Sequence, residues 1–278
     1  MQRAPVDTDV MAHEVAAGEA QGEFGPDRIG QGSFGKFRNT SNSSEVTPPP
    51  SERRSGKLTL WETQPEWSLT YIAPDDGPQF ESGDFQLVSD MVSLDMGVSS
   101  PGATPPYSAI GEANINARYD YRGSSNYVPT PKGTVFQDAQ PYFSLSLNDP
   151  AVNEQAQHMR DALERPYLTF PSWVGKTVPG TSEPLHRTTD ETQRDRNREK
   201  AISTCRDVWG SDYGSGNTLH CDEFPFATTM EGAGAGTDRF SARPIDRSDN
   251  EEAGRRQNTF YKSNRILHGD AFRVEVTS

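Results

Sequence analysis

The chain has 278 residues, 32% of them apolar, with 21 Pro, 24 Gly and a net charge of −13; its mean hydropathy is −0.80. That is room for two modest domains, but ordinary globular chains are nearer half apolar, so part of the chain is expected to stand outside any core. No run approaches about 18 consecutive apolar residues, which excludes a membrane-spanning helix by this measure, and the acidic balance excludes a strongly basic, non-specific DNA clamp.

Residues 1–56 are polar and punctuated by Gly, Pro and Ser (GEFGPDRIGQGSFGK, then NTSNSSEVTPPPSERRSG). They read as a disordered leader and linker. The first twenty residues lack the apolar stretch of a signal peptide. Triplets at Asn39 and Asn42 fit glycosylation sequons, a pattern common by chance.

From Lys57 the pattern changes to short strand-like runs: KLTLWET, SLTYIA, DFQLVSDMVSLDMGV and ANINARYDYR, with YFSLSL further on. Turn chemistry separates them (DDG, ESGD, SSPGATPP, RGSSN). Residues 57–132 are therefore expected to form a β-rich region, sandwich-like or a meander. It holds no recognisable site chemistry, and either a surface-binding or a passive structural module would fit.

Residues 133–278 mix helices with strands, giving an α+β chain whose C-terminal part is a small mixed α/β domain. Asp149 and Pro150 have the chemistry of an N-cap and N1 pair, and Val152, Ala156, Met159 and Leu163 form one stripe that Pro166 stops. A second helix is expected from Asp190 to Val208, with Ala201, Cys205 and Val208 inward. A third begins near Ser248, where Ser248 and Glu251 match a capping box. The end, NRILHGDAFRVEV, reads as a hairpin turning at His268–Asp270.

The acidity is uneven. Residues 1–130 carry 9 basic and 18 acidic side chains, and the remainder 18 and 22. The near-neutral back half also groups its arginines, so it can still meet phosphates. On the second helix the inward stripe runs back onto Arg198, Asn197 and Arg194. If buried, these need a carboxylate cluster or a phosphate as partner; if exposed, they are a solvated face.

Cys205 and Cys221 are sixteen positions apart, with no zinc-type spacing. A disulfide in an oxidising compartment fits, worth roughly 3 kcal/mol by loop entropy; two free thiols are the alternative. Cys221 is followed by Asp222, Glu223, Phe224, Pro225 and Phe226. Adjacent carboxylates suit a hard cation such as Mg²⁺ or Mn²⁺, although most such pairs are solvated turns. Glu231 opens a Gly-rich stretch where backbone could approach a ligand, or which could be flexible linker. Asn250 stands at the start of the third helix, able to orient water or a phosphate oxygen. His158 lies about 120° from the apolar stripe of its helix and has the chemistry of a general base; His186 and His220 compete with it.

Six segments in order carry a resemblance: NDPAVNEQAQHMRDA, FPSWVGKTVPG, PLHRTTDETQRDRNREKA, CDEFPFATTMEGAGAG, SDNEEAG and FYKSNRILHGDAFRVEV. Together, over residues 136–276, they resemble the NucA/NucB family of bacterial extracellular deoxyribonucleases, especially its actinobacterial-type members. The resemblance implies a metal-dependent, largely sequence-non-specific endonuclease acting on DNA, secreted and monomeric. It places the family's Asp-Glu-aromatic-Pro motif on Asp222, Glu223, Phe224 and Pro225. Its Glu-Gly falls on Glu231 and Gly232, its Asp-Asn…Ala-Gly on Asp249, Asn250, Ala253 and Gly254, and its helix histidine on His158. Members often carry Arg after that Asn, where this chain has Glu251; Arg255 or Arg256 could substitute.

The expected machinery is then a divalent ion (Mg²⁺ or Mn²⁺) on Asp222, Glu223 and Glu231. His158 is the expected base, with Glu223 or Glu231 as fallback and Asn250 assisting. Arg187, Arg194 and Arg198 are expected on phosphate. Two other readings fit the same residues: a DNase toxin with an inhibitor or immunity partner, and a degenerate domain that binds DNA or a surface without cutting it.

Overall fold

A computed structural model describes residues 34–41, 53–57, 60, 63–64, 69, 71, 86–100, 105–121 and 132–278. The chain divides into two compact units, one reaching to residue 138 and one over residues 139–278 with 126–129.

The first unit is built on an antiparallel sheet ordered β2-β1-β3-β4-β5. Its strands are β1 (Phe34–Ser41), β2 (Arg53–Lys57), β3 (Gln86–Ser100), β4 (Tyr107–Tyr121) and β5 (Lys132–Phe136). β3 and β4 are the two long alternating runs, paired from Gln86↔Tyr121 to Ser100↔Tyr107 across a Pro/Gly connection. Val92, Ala117 and Tyr119 are buried with Tyr71. Two expectations change. Residues 34–41 and 53–57, assigned to a leader, are mostly within that stretch yet form strands; the remaining leader residues lie outside the described residues. At KLTLWET the Gln64 amide donates to the Leu60 carbonyl at 2.9 Å, a helical turn where alternation predicts a strand.

The second unit has three helices: α1 (Asn153–Glu164), α2 (Glu191–Trp209) and α3 (Arg247–Ser263). Its strands are β6 (Tyr142–Ser146), β7 (Leu185–His186), β8 (Leu219–Phe224), β9 (Ser241–Asp246) and β10 (Ala271–Thr277). β10 lies between β6, to which it is parallel, and β7, to which it is antiparallel; β8 and β9 form a separate antiparallel pair. The C-terminal run is thus no local hairpin. Its strand partner is β6, more than a hundred residues earlier, because Phe272 and Val274 complete a core with Phe143, Leu145, Met159 and Phe224. A smaller cluster, Ala201, Cys205, Ala233, Phe240 and Ala242, seats α2 on β9.

Helix ends explain the other departures. α1 starts three residues after the Asp149–Pro150 pair, with Val152 at its N-cap and no capping side chain of its own. Asp149 instead accepts from Ala151 N (3.0 Å) in a turn and pairs with Arg256 (2.6 Å). The carboxylate of Asp249, at the start of α3, supplies the missing cap: it accepts from Glu154 N at 2.9 Å and Gln155 N at 3.0 Å. α2 follows expectation, capped by Asp190. Its stripe buries Ala201 and Cys205, but Val208 is 38% exposed, because the sheet beneath ends before the last turn. α3 is capped by Asp246 rather than Ser248, and Glu251 pairs with Arg247 at 2.7 Å, so no capping box forms.

Candidate active site

A cleft of about 1040 Å³ is lined by residues of α1, α2, β8 and α3. Asp222 and Glu223 stand on β8, opposite Arg243 and Ala242 of β9. Neighbours on the strand, they meet different elements: Asp222 meets α1, and Glu223 feels the charge of Arg198 on α2. Both line the cleft and both are more than nine-tenths buried.

Burial first, then the charge of Asp222, pushes the Glu223 carboxyl up to about 8, against the opposing pull of Arg198. Its Oε2 is buried with no hydrogen-bond partner. A carboxylate pair with an unsatisfied buried oxygen fits a hard divalent cation, which needs only one or two carboxylates beside water and phosphate. Among the described residues no group of three or more His, Cys, Asp or Glu side chains converges as a ready-made cage.

His158 is wholly buried. Its Nδ1 bonds Asp222 Oδ2, and its Nε2 bonds Ser241 Oγ at 2.6 Å. Both ring nitrogens are thus engaged inside the protein, where an exposed imidazole is expected. His158 holds the Asp222 carboxylate from the α1 side. The off-stripe position that suggested a free imidazole reflects a buried polar pair.

Glu231 does not join the other two carboxylates. It is not among the residues lining the cleft; its Oε2 accepts from the His186 backbone N–H (2.9 Å) and its Oε1 bonds His186 Nδ1 (2.7 Å). The glycines after it meet Asn197, not a ligand: a Cβ at Gly232 would fall 2.3 Å from Asn197 Nδ2. Asn197 itself is saturated, donating to the Ala227 and Thr229 carbonyls (2.9 and 3.0 Å) and accepting from Gly234 N (2.9 Å).

The structure does bring Arg187, Arg194, Arg198 and Asn250 to the cleft. Arg187 is buried, bonded to the Ile266 carbonyl and stacked 4.4 Å from the Tyr261 ring centroid. Arg198 is half exposed and bonded to Asp195 at 3.0 Å. His220 also lines the cleft. Cys205 and Cys221 are joined, tying α2 to the strand position just before Asp222.

Three residues in or behind the cleft go unmarked by the sequence. Ser241 is reached only through the fold. Gln155 and Gln257 line the cleft, yet their amide nitrogens are buried without partners. Gln155 lies one turn before His158 on the same helix face, a spacing that could have flagged it.

Residues 175–275 match the family model for deoxyribonuclease NucA/NucB. No curated protein and no solved structure matches the chain. Among the described residues no helix is long and apolar enough to cross a membrane.

Proposed function

We propose that the NucA/NucB-type deoxyribonuclease domain carried by this chain cuts DNA endonucleolytically, with little sequence preference, at Asp222 and Glu223. The observation that carries this is the buried carboxylate pair in a cleft that also presents Arg187, Arg194 and Arg198. Asp222 and Glu223 would hold a divalent cation, Mg²⁺ or Mn²⁺, whose chemistry is to offset charge on the phosphate in the transition state. His158 keeps Asp222 in its orientation, with Ser241 securing the far side of the ring. Glu223, ionised once a bound cation offsets its burial, would take the proton of the attacking water on the carboxylate oxygen that the cation leaves free. Arg187 and Arg194 engage phosphate oxygens beside the bond being cut and Arg198 the phosphate being cut, where partial desolvation strengthens each contact. Asn250 orients the water or an oxygen of the same phosphate.

The disulfide between Cys205 and Cys221 favours an oxidising setting, and so action outside the cell. Incubating the protein with plasmid DNA and Mg²⁺ or Mn²⁺, then with EDTA, tests the reading. Cleavage is expected with metal and none with chelator. Asp222→Ala and Glu223→Ala should each lower turnover by orders of magnitude while circular dichroism stays unchanged. Near-normal cleavage by both variants would remove the assignment.

A further inference from the structure

Beside two of the arginines, the same cleft holds a hydrogen-bonded amide and hydroxyl cluster, Gln257, Thr228 and Tyr261, that the proposed reaction does not use. Gln257 of α3 is 7% exposed, and its Nε2 is buried with no partner. Its other amide atom is locked. The Thr228 hydroxyl donates to Gln257 Oε1 at 3.1 Å and is bonded in turn to the Tyr261 hydroxyl at 2.9 Å. With the Thr228 proton spent on Gln257 Oε1, the Tyr261 hydroxyl is left to donate to Thr228. The chain therefore runs one way, and it leaves Gln257 with its NH₂ group unspent. Beside it, Arg194 also has a buried Nε without a partner. The charges of Arg187 and Arg194 both reach the Tyr261 hydroxyl. The one carboxylate acting on that hydroxyl, Glu231, is bonded to His186.

An unsatisfied buried donor is costly, and two lining one cleft imply a missing acceptor. We propose that Gln257 and Arg194, with Arg187 beside them, form an anion subsite that grips a DNA phosphate next to the one being cut, and that Thr228 and Tyr261 position the Gln257 amide for it. This rests on the deoxyribonuclease reading and adds to it a second point of hold on the backbone. Gln257 lies about seven residues along α3 from Asn250, roughly 10 Å.

A grip remote from the reacting bond acts on binding rather than on turnover. Gln257→Met should raise KM for DNA about tenfold, leave kcat within about twofold, and leave Tm unchanged or higher, since a buried orphan amide is removed. Thr228→Val should raise KM similarly, and Thr228→Ser should restore it. Arg194→Gln should lower the slope of log affinity against log salt by about one, whereas Gln257→Met should not. An unchanged KM in Gln257→Met, or a KM rise accompanied by a clear drop in Tm, overturns the subsite. Fluorescence anisotropy of a labelled duplex in EDTA separates the two proposals: weaker binding by Gln257→Met without any cleavage by the wild type in metal would keep the subsite and discard the hydrolase.

Discussion

Glu223 is a buried carboxyl that lowers stability once it ionises. Its folded carboxyl titrates near 8, above its unfolded value, because burial and Asp222 disfavour the charge. Between about pH 4.5 and 8 the unfolded chain loses this proton while the folded one keeps it, so stability falls as pH rises through that window. Urea melts in EDTA at pH 5 and pH 8 should show the loss. Glu223→Gln should abolish most of it, gaining stability over the wild type at pH 8; an equal pH dependence in both proteins would rule out Glu223 as its source. The pair Asp222-Glu223 is legible as a cation candidate from type and adjacency. The burial that gives Glu223 its raised affinity is not, since it comes from α2 folding over β8. His158 misleads for a related reason: periodicity reports the angle of a side chain on its helix, not what another element sets against it.

At the level of elements, α1 and α3 are joined by a cap that neither owns locally. Asp249 accepts two first-turn N–H groups of α1, which has no capping side chain of its own. Asp249→Ala should cost about 2–3 kcal/mol in denaturant unfolding, since two donors lose a charged acceptor. Asp249→Asn should recover part of that loss. Cleavage should fall with the alanine variant, because the turn it frees carries Gln155 and leads into His158. α2 is readable to within a residue at each end, because Asp190 and Gly210 are local signals. The start of α1 is not, because its cap comes from 94 residues further along the chain. Sequence separation likewise hides the role of Asn197, whose partners all lie in the loop near residues 227–234. Gly234→Ala should be destabilising by thermal melt, since its Cβ would stand 2.8 Å from Asn197 Oδ1 and 3.0 Å from the Arg196 backbone.

For the whole molecule, the mixed architecture of the C-terminal unit and its link to one family are visible in the order of six short segments. The β-rich character of the region before it is visible in alternation and turn residues. Strand pairing is not, because β10 chooses β6 by completing a buried core rather than by proximity in the chain. The disulfide closes a loop of 16 positions. Its removal by Cys205→Ser with Cys221→Ser should lower stability by roughly 3 kcal/mol and reduce cleavage, as read by melts and plasmid digestion. Unaltered cleavage in the double variant would show that β8 keeps its place without the bond.

β6 and α1 precede the stretch that matches the nuclease family, yet one supplies the parallel neighbour of the last strand and the other carries the imidazole behind Asp222. A minimal enzyme cannot be trimmed to the recognisable portion. An excised piece beginning at residue 139 should be soluble and digest DNA, whereas one beginning at 175 would expose Phe272 and Val274 along an unzipped edge and precipitate.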